Sequence, residues 1–225
     1  MKATIDWAGE RLELHHDRAV FWPARHTLIV ADVHFGKASS FRRAGVPVPA
    51  GTTTRDTDRL TALIERFAAR RLVVLGDFLH AREGRSAETL DVIGAWRARH
   101  DDVEMLLVRG NHDEHAGDPP EAFGITCVDA PHDDTPFAYV HDPAEVEAAH
   151  AIGGHVHPAV TLRDGARGRM RCACFLFGPR VAIVPAFGSF TGAKSRRPSA
   201  GDRVFAIGPG AVVEVTSVSY THLRA

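Results

Sequence analysis

The sequence predicts a single α/β domain in which two packed, mixed β-sheets form the core. The first half of the chain alternates short apolar runs with helical patterns, which is typical of parallel strands joined by crossover helices. The second half contains strand-like runs separated by Gly, Pro and Asp turns. The 225 residues, of which 44% are hydrophobic, suffice for one globular core.

Three apolar runs in the first half each end in a polar residue. They are "TLIVAD", "RLVVLGD" and "VEMLLVRGN", which lead into Asp32, Asp77 and Asn111. Each run is typical of a buried strand. Because the carboxyl ends of parallel strands meet at one sheet edge, where ligands bind in such folds, we expect these three side chains to lie close together.

Two crossover helices are predicted between these strands. Thr53 and Asp56 resemble a capping box, and the apolar residues that follow have the spacing of one helical face: Leu60, Leu63, Ile64, Phe67 and Ala68. A second helix is predicted to start at Ser86 and to carry Leu90, Ile93 and Trp96. Strand and helix therefore alternate up to Asn111.

The pattern changes after Gly124 to strands without intervening helices. The runs are "ITCVDA", "FAYVHD", "AIGGHV", "RCACFLFG", "RVAIVPAFG", "RVFAIG" and "AVVEV". They predict a mostly antiparallel or mixed sheet packed on the first half. We expect residues 1–216 to form the domain and residues 217–225 to be a tail, either disordered or not native to it.

Charge and composition exclude several classes of protein. With 27 Lys+Arg against 28 Asp+Glu the formal net charge is -1, so any attraction to phosphate must be local. No apolar run approaches the length that spans a bilayer and the start lacks a signal pattern, so we expect a cytoplasmic protein that does not bind membranes. Three cysteines without a C-x-x-C pair do not support a disulfide framework or a four-thiolate zinc site.

Polar residues at the strand ends form a set of candidate metal ligands. Mixed carboxylate, imidazole and amide donors favour Mn, Fe, Zn, Ni or Co over Mg or Ca. The set exceeds the needs of one four-coordinate ion and fits two ions, which would clamp a phosphoryl group and activate a bridging hydroxide. The candidates are Asp32, His34, Asp77, Asn111, His141, His155 and His157.

The motifs D-x-H, G-D, G-N-H-D, a single His and G-H-x-H occur in this order along the chain. In this series the chain resembles the calcineurin-like metallophosphoesterase superfamily. The resemblance implies an αββα sandwich, which is a pair of packed sheets flanked by helices. It also implies that one ion is held by Asp32, His34, Asp77 and His157, and the other by Asp77, Asn111, His141 and His155. His112 would then be the general acid, with Asp113 as its orienting partner.

Two longer stretches, "ADVHFGKASSFRRAGVPVP" and "VPAFGSFTGA", together with "GDFLH", are similar to the bacterial ligase-associated DNA-damage-response endonucleases of this superfamily. This resemblance implies a Mn-dependent phosphodiesterase that cleaves DNA in repair, beside a DNA ligase, a helicase and an exonuclease. The alternative is a phosphoesterase for a small molecule, such as a nucleotide or sugar nucleotide. A basic open site favours the nuclease and a closed pocket favours the alternative.

Candidate substrate-binding residues surround the ligand motifs. Lys37, Arg42 and Arg43 follow the first ligand pair, where they either contact a phosphate backbone or form a solvated loop. His80 stands where many family members carry an aspartate, three residues after the bridging one, and either orients ligands or contacts substrate. A second substrate rim is predicted at Ser189, Thr191, Lys194, Arg196 and Arg197.

The segment "GGHVHP" predicts how two histidines serve two ions. On an extended strand, residues two apart point to the same side about 6.6 Å from each other. That spacing assigns His155 and His157 to different ions. Gly153 and Gly154 are expected to let the backbone pass close to the site, and Pro158 is expected to end the strand.

Overall fold

The computed structural model describes residues 2–164, 168–195 and 197–215. The predicted tail 217–225 and Arg196 of the predicted rim lie outside these residues. The strands are β1 (Ala3–Trp7), β2 (Glu10–His15), β3 (Ala19–Trp22), β4 (Thr27–Ala31), β5 (Arg71–Leu75), β6 (Glu104–Val108), β7 (Ile125–Val128), β8 (His132–Asp134), β9 (Phe137–Tyr139), β10 (His150–Gly153), β11 (Pro158–Asp164), β12 (Gly168–Phe177), β13 (Val181–Ile183), β14 (Lys194–Ser195), β15 (Arg203–Gly208) and β16 (Ala211–Val215). The α-helices are α1 (Lys37–Arg43), α2 (Thr52–Phe67), α3 (Ala87–Arg99) and α4 (Asn111–Ala116).

Within the described ranges these strands form two mixed sheets, as the sequence predicts. The first sheet has the order β1-β2-β3-β4-β5-β6-β7, antiparallel from β1 to β4 and parallel from β4 to β7. The second runs β14-β11-β12-β13-β10-β9-β8, with β15 and β16 attached through β12. In it, β9, β10 and β13 are parallel, while β11, β12, β15 and β16 pair antiparallel.

Alternate residues of the first sheet face two different cores. Leu28 and Val30 belong to the core that contains apolar residues of α2 and α3, whereas Ile29 between them belongs to the core between the sheets. That second core also contains Phe137, Phe175 and other aromatic rings of the second sheet. Fully burying one such side chain stabilises the fold by about 1.5–3 kcal/mol. Because the apolar faces of the two sheets pack on each other, the apolar pattern determines which strand ends of the two sheets lie side by side.

Several local expectations differ from the structure. The run "ITCVDA" forms β7, which extends the first sheet in parallel rather than starting the second. The N-cap of α2 is Gly51 without a side-chain hydrogen bond, so the capping-box interpretation of Thr53 and Asp56 is wrong, and the Asp56 carboxylate has another partner. Ser86 caps α3 as predicted, accepting a hydrogen bond from the Thr89 amide at 3.2 Å.

Two further features of the structure concern the cysteines and the character of the helices. Cys127, Cys172 and Cys174 are free thiols, and the last two lie in an apolar cluster of the second sheet. Among the described residues, no helix combines the length and apolar character that a membrane crossing requires.

Candidate metal centre

The candidate ligands converge where parallel strands of both sheets end. Asp32 follows β4, Asp77 follows β5 after one glycine, and Asn111 begins α4 beyond β6. His141 comes two residues after β9, and His155 two residues after β10. The two sheets therefore contribute their carboxyl ends to one site, as expected for ligand binding in parallel sheets.

Five of the seven candidate ligands adopt a left-handed backbone. Their φ angles are +52° at Asp32, +52° at His34, +53° at Asp77, +61° at His155 and +49° at His157. Such conformations cost about 1–3 kcal/mol for non-glycine residues and concentrate at functional sites. The expectation of an extended strand through "GGHVHP" is therefore wrong: β10 ends at Gly153, and Pro158 begins β11.

One donor cluster comprises Asp32, His34 and His157, whose ligand atoms lie within 4.8 Å of one another. His157 Nε2 is 3.6 Å from Asp32 Oδ1, and the Nδ1 of the same ring is 3.1 Å from the Gly192 carbonyl oxygen. Because a carbonyl only accepts hydrogen bonds, this contact places the proton on Nδ1 and leaves the Nε2 lone pair directed at the cluster.

A second donor cluster comprises Asp77, His141 and His155, and Asn111 adjoins it. His141 donates Nδ1–H to the Leu75 carbonyl at 3.0 Å, which leaves its Nε2 lone pair facing three atoms. These are His155 Nδ1 at 3.0 Å, Asn111 Oδ1 at 3.1 Å and Asp77 Oδ1 at 3.4 Å. Nitrogen and oxygen atoms of ligand type that converge in this way are the arrangement that holds a metal ion.

Asp77 lies between the two clusters. Its Oδ1 faces His141 of the second cluster, while its Oδ2 is 3.6 Å from His34 Nε2 of the first. Each carboxylate oxygen therefore faces a different group of donors, which is the arrangement that a ligand shared by two ions requires. The donor set of carboxylate, imidazole and amide atoms fits a pair of divalent transition-metal ions.

Burial keeps the imidazoles around the first cluster neutral. Desolvation, followed by the nearby Lys37 ammonium, lowers the pKa of His34 to about 2 and that of His80 to about 4. Burial raises the pKa of Asp32, whose oxygens both accept from the His155 amide, at 3.1 and 2.9 Å. Neutral imidazole is the form that binds metal ions.

Asp113 contacts backbone amides and not the His112 ring. Its Oδ1 accepts from the amides of Phe78 and Leu79, at 3.0 and 3.2 Å, and its Oδ2 accepts from the Gly110 amide at 2.9 Å. Burial raises the pKa of this carboxyl to about 6, against the lowering effect of the amide donors. Asp113 therefore connects the segment after Asp77 to the start of α4. It does not contact the His112 ring, which we expected it to orient.

His112 is oriented by a backbone carbonyl instead. Its Nδ1 lies 2.6 Å from the His80 carbonyl oxygen, and its amide donates to Asp77 Oδ1 at 3.0 Å. The His80 ring stacks on the His112 ring at 4.7 Å between centroids, and His80 Nδ1 is 3.3 Å from His34 Nδ1. His80 thus touches both a candidate ligand and the candidate general acid.

The predicted basic residues of α1 divide into different environments. Lys37 is half-buried beside the site, where burial lowers its pKa despite the opposing effect of the Asp77 and Asp32 carboxylates. The Arg42 guanidinium donates to Pro49 O and Ser39 Oγ, so it ties down its own loop. Arg43 is exposed, and its side chain forms no hydrogen bond or ion pair with another described residue.

The predicted second rim is a braced loop. Both oxygens of Asp56 accept from the Ser189 amide, and one also accepts from Ser189 Oγ. Thr191 Oγ1 donates to Gly188 O at 2.7 Å. Ser189 therefore holds the loop rather than facing substrate, and Asp56, read from the sequence as a helix cap, is the residue that fixes it. Lys194 is exposed at the start of β14.

Glycines next to the candidate ligands are an additional sequence signal for the site. A Cβ atom added at Gly154 would lie 2.6 Å from Ala31 Cβ and 2.7 Å from Asp32 Oδ2. Gly110 would bring a Cβ equally close to the backbone nitrogen of Asp77. Each of these glycines directly precedes a candidate ligand, so a glycine at that position indicates a close approach of the backbone as well as the ligand that follows it.

Comparisons with known proteins agree with this geometry. The calcineurin-like phosphoesterase family profile matches residues 25–143. The chain is 40% identical to Pseudomonas putida nuclease MPE, with a TM-score of 0.85, and the match covers 96% of this chain and 100% of that one. Yfce, a phosphoesterase from E. coli, is 16% identical with a TM-score of 0.40, and the match covers 84% of this chain and 97% of that chain.

No curated protein sequence matches the chain significantly. The family profile, the similar nuclease structure and the convergent donors nevertheless agree, and they confirm the superfamily predicted from the motif series. They also confirm the predicted sandwich of two mixed sheets with flanking helices. The chain belongs to the calcineurin-like phosphoesterase family and is a metal-dependent phosphoesterase.

Proposed function

We propose that the chain is a binuclear phosphodiesterase that cleaves DNA, with His112 as the general acid. The observation that carries the proposal is the position of Asp77, whose two oxygens face two separate donor clusters; one of these oxygens also accepts from the His112 amide. The similarity to a nuclease over nearly the whole chain supports nucleic acid as the substrate class.

The two ions would be held as the motif series implies. Asp32, His34 and His157 serve one, Asn111, His141 and His155 serve the other, and Asp77 serves both. Such ions neutralise the charge of a phosphodiester and increase the acidity of bound water. We propose Mn as the native metal, because the mixed oxygen and nitrogen donors suit a borderline divalent ion.

His112 is placed to protonate the leaving oxygen. Because the His80 carbonyl only accepts, His112 Nδ1 carries a proton in both charge states of the ring, and Nε2 is the atom left to transfer one. An alkoxide leaving group needs this proton, and a positioned general acid contributes about 10² to 10⁴-fold to the rate. His80 contributes its carbonyl to orientation and its ring to the wall of the site.

An open, locally basic site favours a polymer over a small molecule. Asn111 and His155 are exposed although they are candidate ligands, and Lys37 and Arg43 lie on α1 directly after the first ligand pair. Positive charges beside the ligands would attract a phosphate backbone despite the neutral balance of the whole chain. Resemblance to the ligase-associated branch extends the proposal to DNA repair in the cytoplasm, beside a DNA ligase, a helicase and an exonuclease.

The test compares Mn-loaded protein on DNA, on a bis-aryl phosphodiester and on an aryl phosphomonoester. We expect cleavage of both diesters. His112→Ala should slow DNA cleavage by about 10² to 10⁴-fold, and bis-aryl hydrolysis much less, because an aryloxide is a weak base that leaves without a proton. His115→Ala is the matched control, since His115 lies on the same helix and is exposed.

Three outcomes would contradict the proposal. Hydrolysis of the monoester alone would favour the small-molecule phosphatase. Equal losses on DNA and on the bis-aryl diester would refute His112 as the proton donor. Activity that persists in Asp77→Asn would show that the metal-centre assignment is wrong.

A further inference from the structure

Two phenylalanines beside the metal centre are not explained by the hydrophobic core. The chain contains 12 phenylalanines, and ten of them lie in the core clusters or pack against them. The two that do neither are Phe41 on α1 and Phe190 in the loop after β13, and both are half-buried. Partly exposed aromatic rings next to a candidate active site are a candidate surface for a ligand with an apolar face.

These two rings continue a row of rings that starts in the site. His80 stacks on His112 at 4.7 Å, Phe41 follows at 6.3 Å from His80, and Phe190 lies edge-to-face with Phe41 at 5.5 Å. All four side chains are only partly buried. The four rings therefore form a continuous, partly exposed row that begins at the proposed proton donor.

A cation accompanies the row. Lys37 and Phe41 are four residues apart on α1, so they occupy the same face of the helix. Lys37 also lines a narrow cleft together with His34, Phe190 and Thr191. A positive charge that adjoins both a candidate metal ligand and the aromatic rings matches the alternation of phosphate and base along a polynucleotide.

The Phe190 ring is held by a preformed loop. Asp56 accepts from the amide and the hydroxyl of Ser189, and it also binds Arg59 Nη1 at 3.0 Å. The Arg59 guanidinium lies over the Phe187 ring at 4.1 Å and donates to the Phe187 carbonyl. Fixing a ring before the ligand arrives reduces the entropy lost on binding.

We propose that Phe41 and Phe190 form a stacking platform for one nucleobase next to the scissile phosphodiester. This inference rests on the proposed function, since it specifies how a nucleic acid occupies the same site. Every base presents a π-face, so the platform is indifferent to sequence and requires a base whose face is uncovered. Lys37 contacts the phosphate between that base and the metal centre.

The test measures kcat/KM on DNA and on the bis-aryl diester for Phe41→Leu, Phe190→Leu and the double variant. Leucine retains apolar packing and removes the aromatic face. We expect the ratio of DNA cleavage to bis-aryl hydrolysis to fall by about 5- to 100-fold, as loss of one base–aromatic stack predicts. Phe41→Trp should restore the ratio, because tryptophan offers a larger face.

A DNA substrate with one abasic residue beside the cleavage position provides the second measurement. Wild type should cut the abasic strand more slowly than the intact strand, whereas the double variant should cut the two strands at the same rate. Phe67→Leu is the matched control, because Phe67 is also half-buried and stacks on another ring, that of Phe21, at 4.6 Å. Phe67 is the last residue of α2 and lies about 20 Å from Thr52 at the start of that helix.

The outcomes separate this inference from the proposed function. If wild type does not cut DNA, the proposed function fails and the platform fails with it. If wild type cuts DNA but the abasic residue slows wild type and the double variant equally, or slows neither, only the platform is refuted. A ratio that falls to the same extent in Phe67→Leu would likewise refute it, because the effect would then be general destabilisation.

Discussion

Replacing Asp113 with alanine tests how the two ligand-bearing segments are held together. The carboxylate accepts three hydrogen bonds, from the amides of Phe78, Leu79 and Gly110, and only 1% of Asp113 is exposed. The first two amides follow Asp77, and the third precedes Asn111. One side chain therefore connects the proposed bridging ligand to a ligand of the second ion.

The magnitude follows from the amides that would lose their acceptor. A buried donor left without a partner costs about 1–3 kcal/mol. Allowing for local relaxation, we take the lower limit for each of the three amides and expect Asp113→Ala to reduce the free energy of unfolding by about 3 kcal/mol. In a protein of this size that corresponds to a fall in Tm of about 6–12 °C.

Asparagine separates hydrogen bonding from charge. In Asp113→Asn one oxygen can still accept from the amides of Phe78 and Leu79, while the side-chain NH2 group faces the Gly110 N–H. We therefore expect the free energy of unfolding of Asp113→Asn to lie between that of wild type and that of Asp113→Ala. Asp118→Ala is the control, because Asp118 forms a partly exposed ion pair with Arg109, and such pairs contribute about 0–1 kcal/mol.

The assay is thermal unfolding of the metal-free and Mn-loaded proteins, with bound metal measured in parallel. We expect Asp113→Ala to bind less metal as well as to melt earlier, because both segments that carry ligands lose their common anchor. A Tm for Asp113→Ala within 2 °C of that of Asp118→Ala would refute this reasoning, because a relaxed backbone would then replace all three hydrogen bonds at no cost.

Three further predictions concern the surroundings of the site. Gly154→Ala should lower metal content and Tm, because its Cβ would meet Ala31 and Asp32 within 2.7 Å, whereas Gly208→Ala, with open space around it, should change neither. Asp56→Ala should release the Ser189 amide and reduce kcat/KM on DNA while the Mn content stays constant, which metal analysis checks. Saturating Mn should raise the Tm of the stripped protein by about 5–10 °C, the effect of binding at 100 times Kd, and no shift would contradict a native metal site.

The sequence allowed the strands and the ligand types to be predicted because both depend on local patterns. The runs that lead into Asp32, Asp77 and Asn111 are continuous apolar segments, and their polar ends mark where β4, β5 and β6 stop. Motif order then identified the histidines. The antiparallel extension through β1, β2 and β3 was not predicted, because short edge strands alternate weakly between apolar and polar residues.

Asp56 and Asp113 illustrate what local patterns cannot indicate. Each stands near a helix start. Asp56 does not cap α2 and instead holds a loop 133 residues away, whereas Asp113 caps α4 through the Gly110 amide and also binds amides 34 and 35 residues away. Their partners depend on which strand ends the two cores bring together. Burial of a carboxylate with several amide donors is a tertiary property, and residue spacing carries no trace of it.

The left-handed backbone at the site explains why the residue types of the candidate ligands could be predicted from the sequence while their backbone geometry could not. Asp and His adopt positive φ more readily than most residues, because their short polar side chains tolerate it, whereas β-branched residues avoid it. The candidate ligands with a positive φ therefore combine two properties: their side chains are of a type that binds metal ions, and their backbones permit sharp reversals after a strand. They are Asp32, His34, Asp77, His155 and His157. The reversals, rather than an extended "GGHVHP" strand, aim His155 and His157 at different clusters. A substitution at these positions acts on both requirements, so Asn for Asp alters mainly the ligand, while Val for Asp also opposes the backbone that presents it.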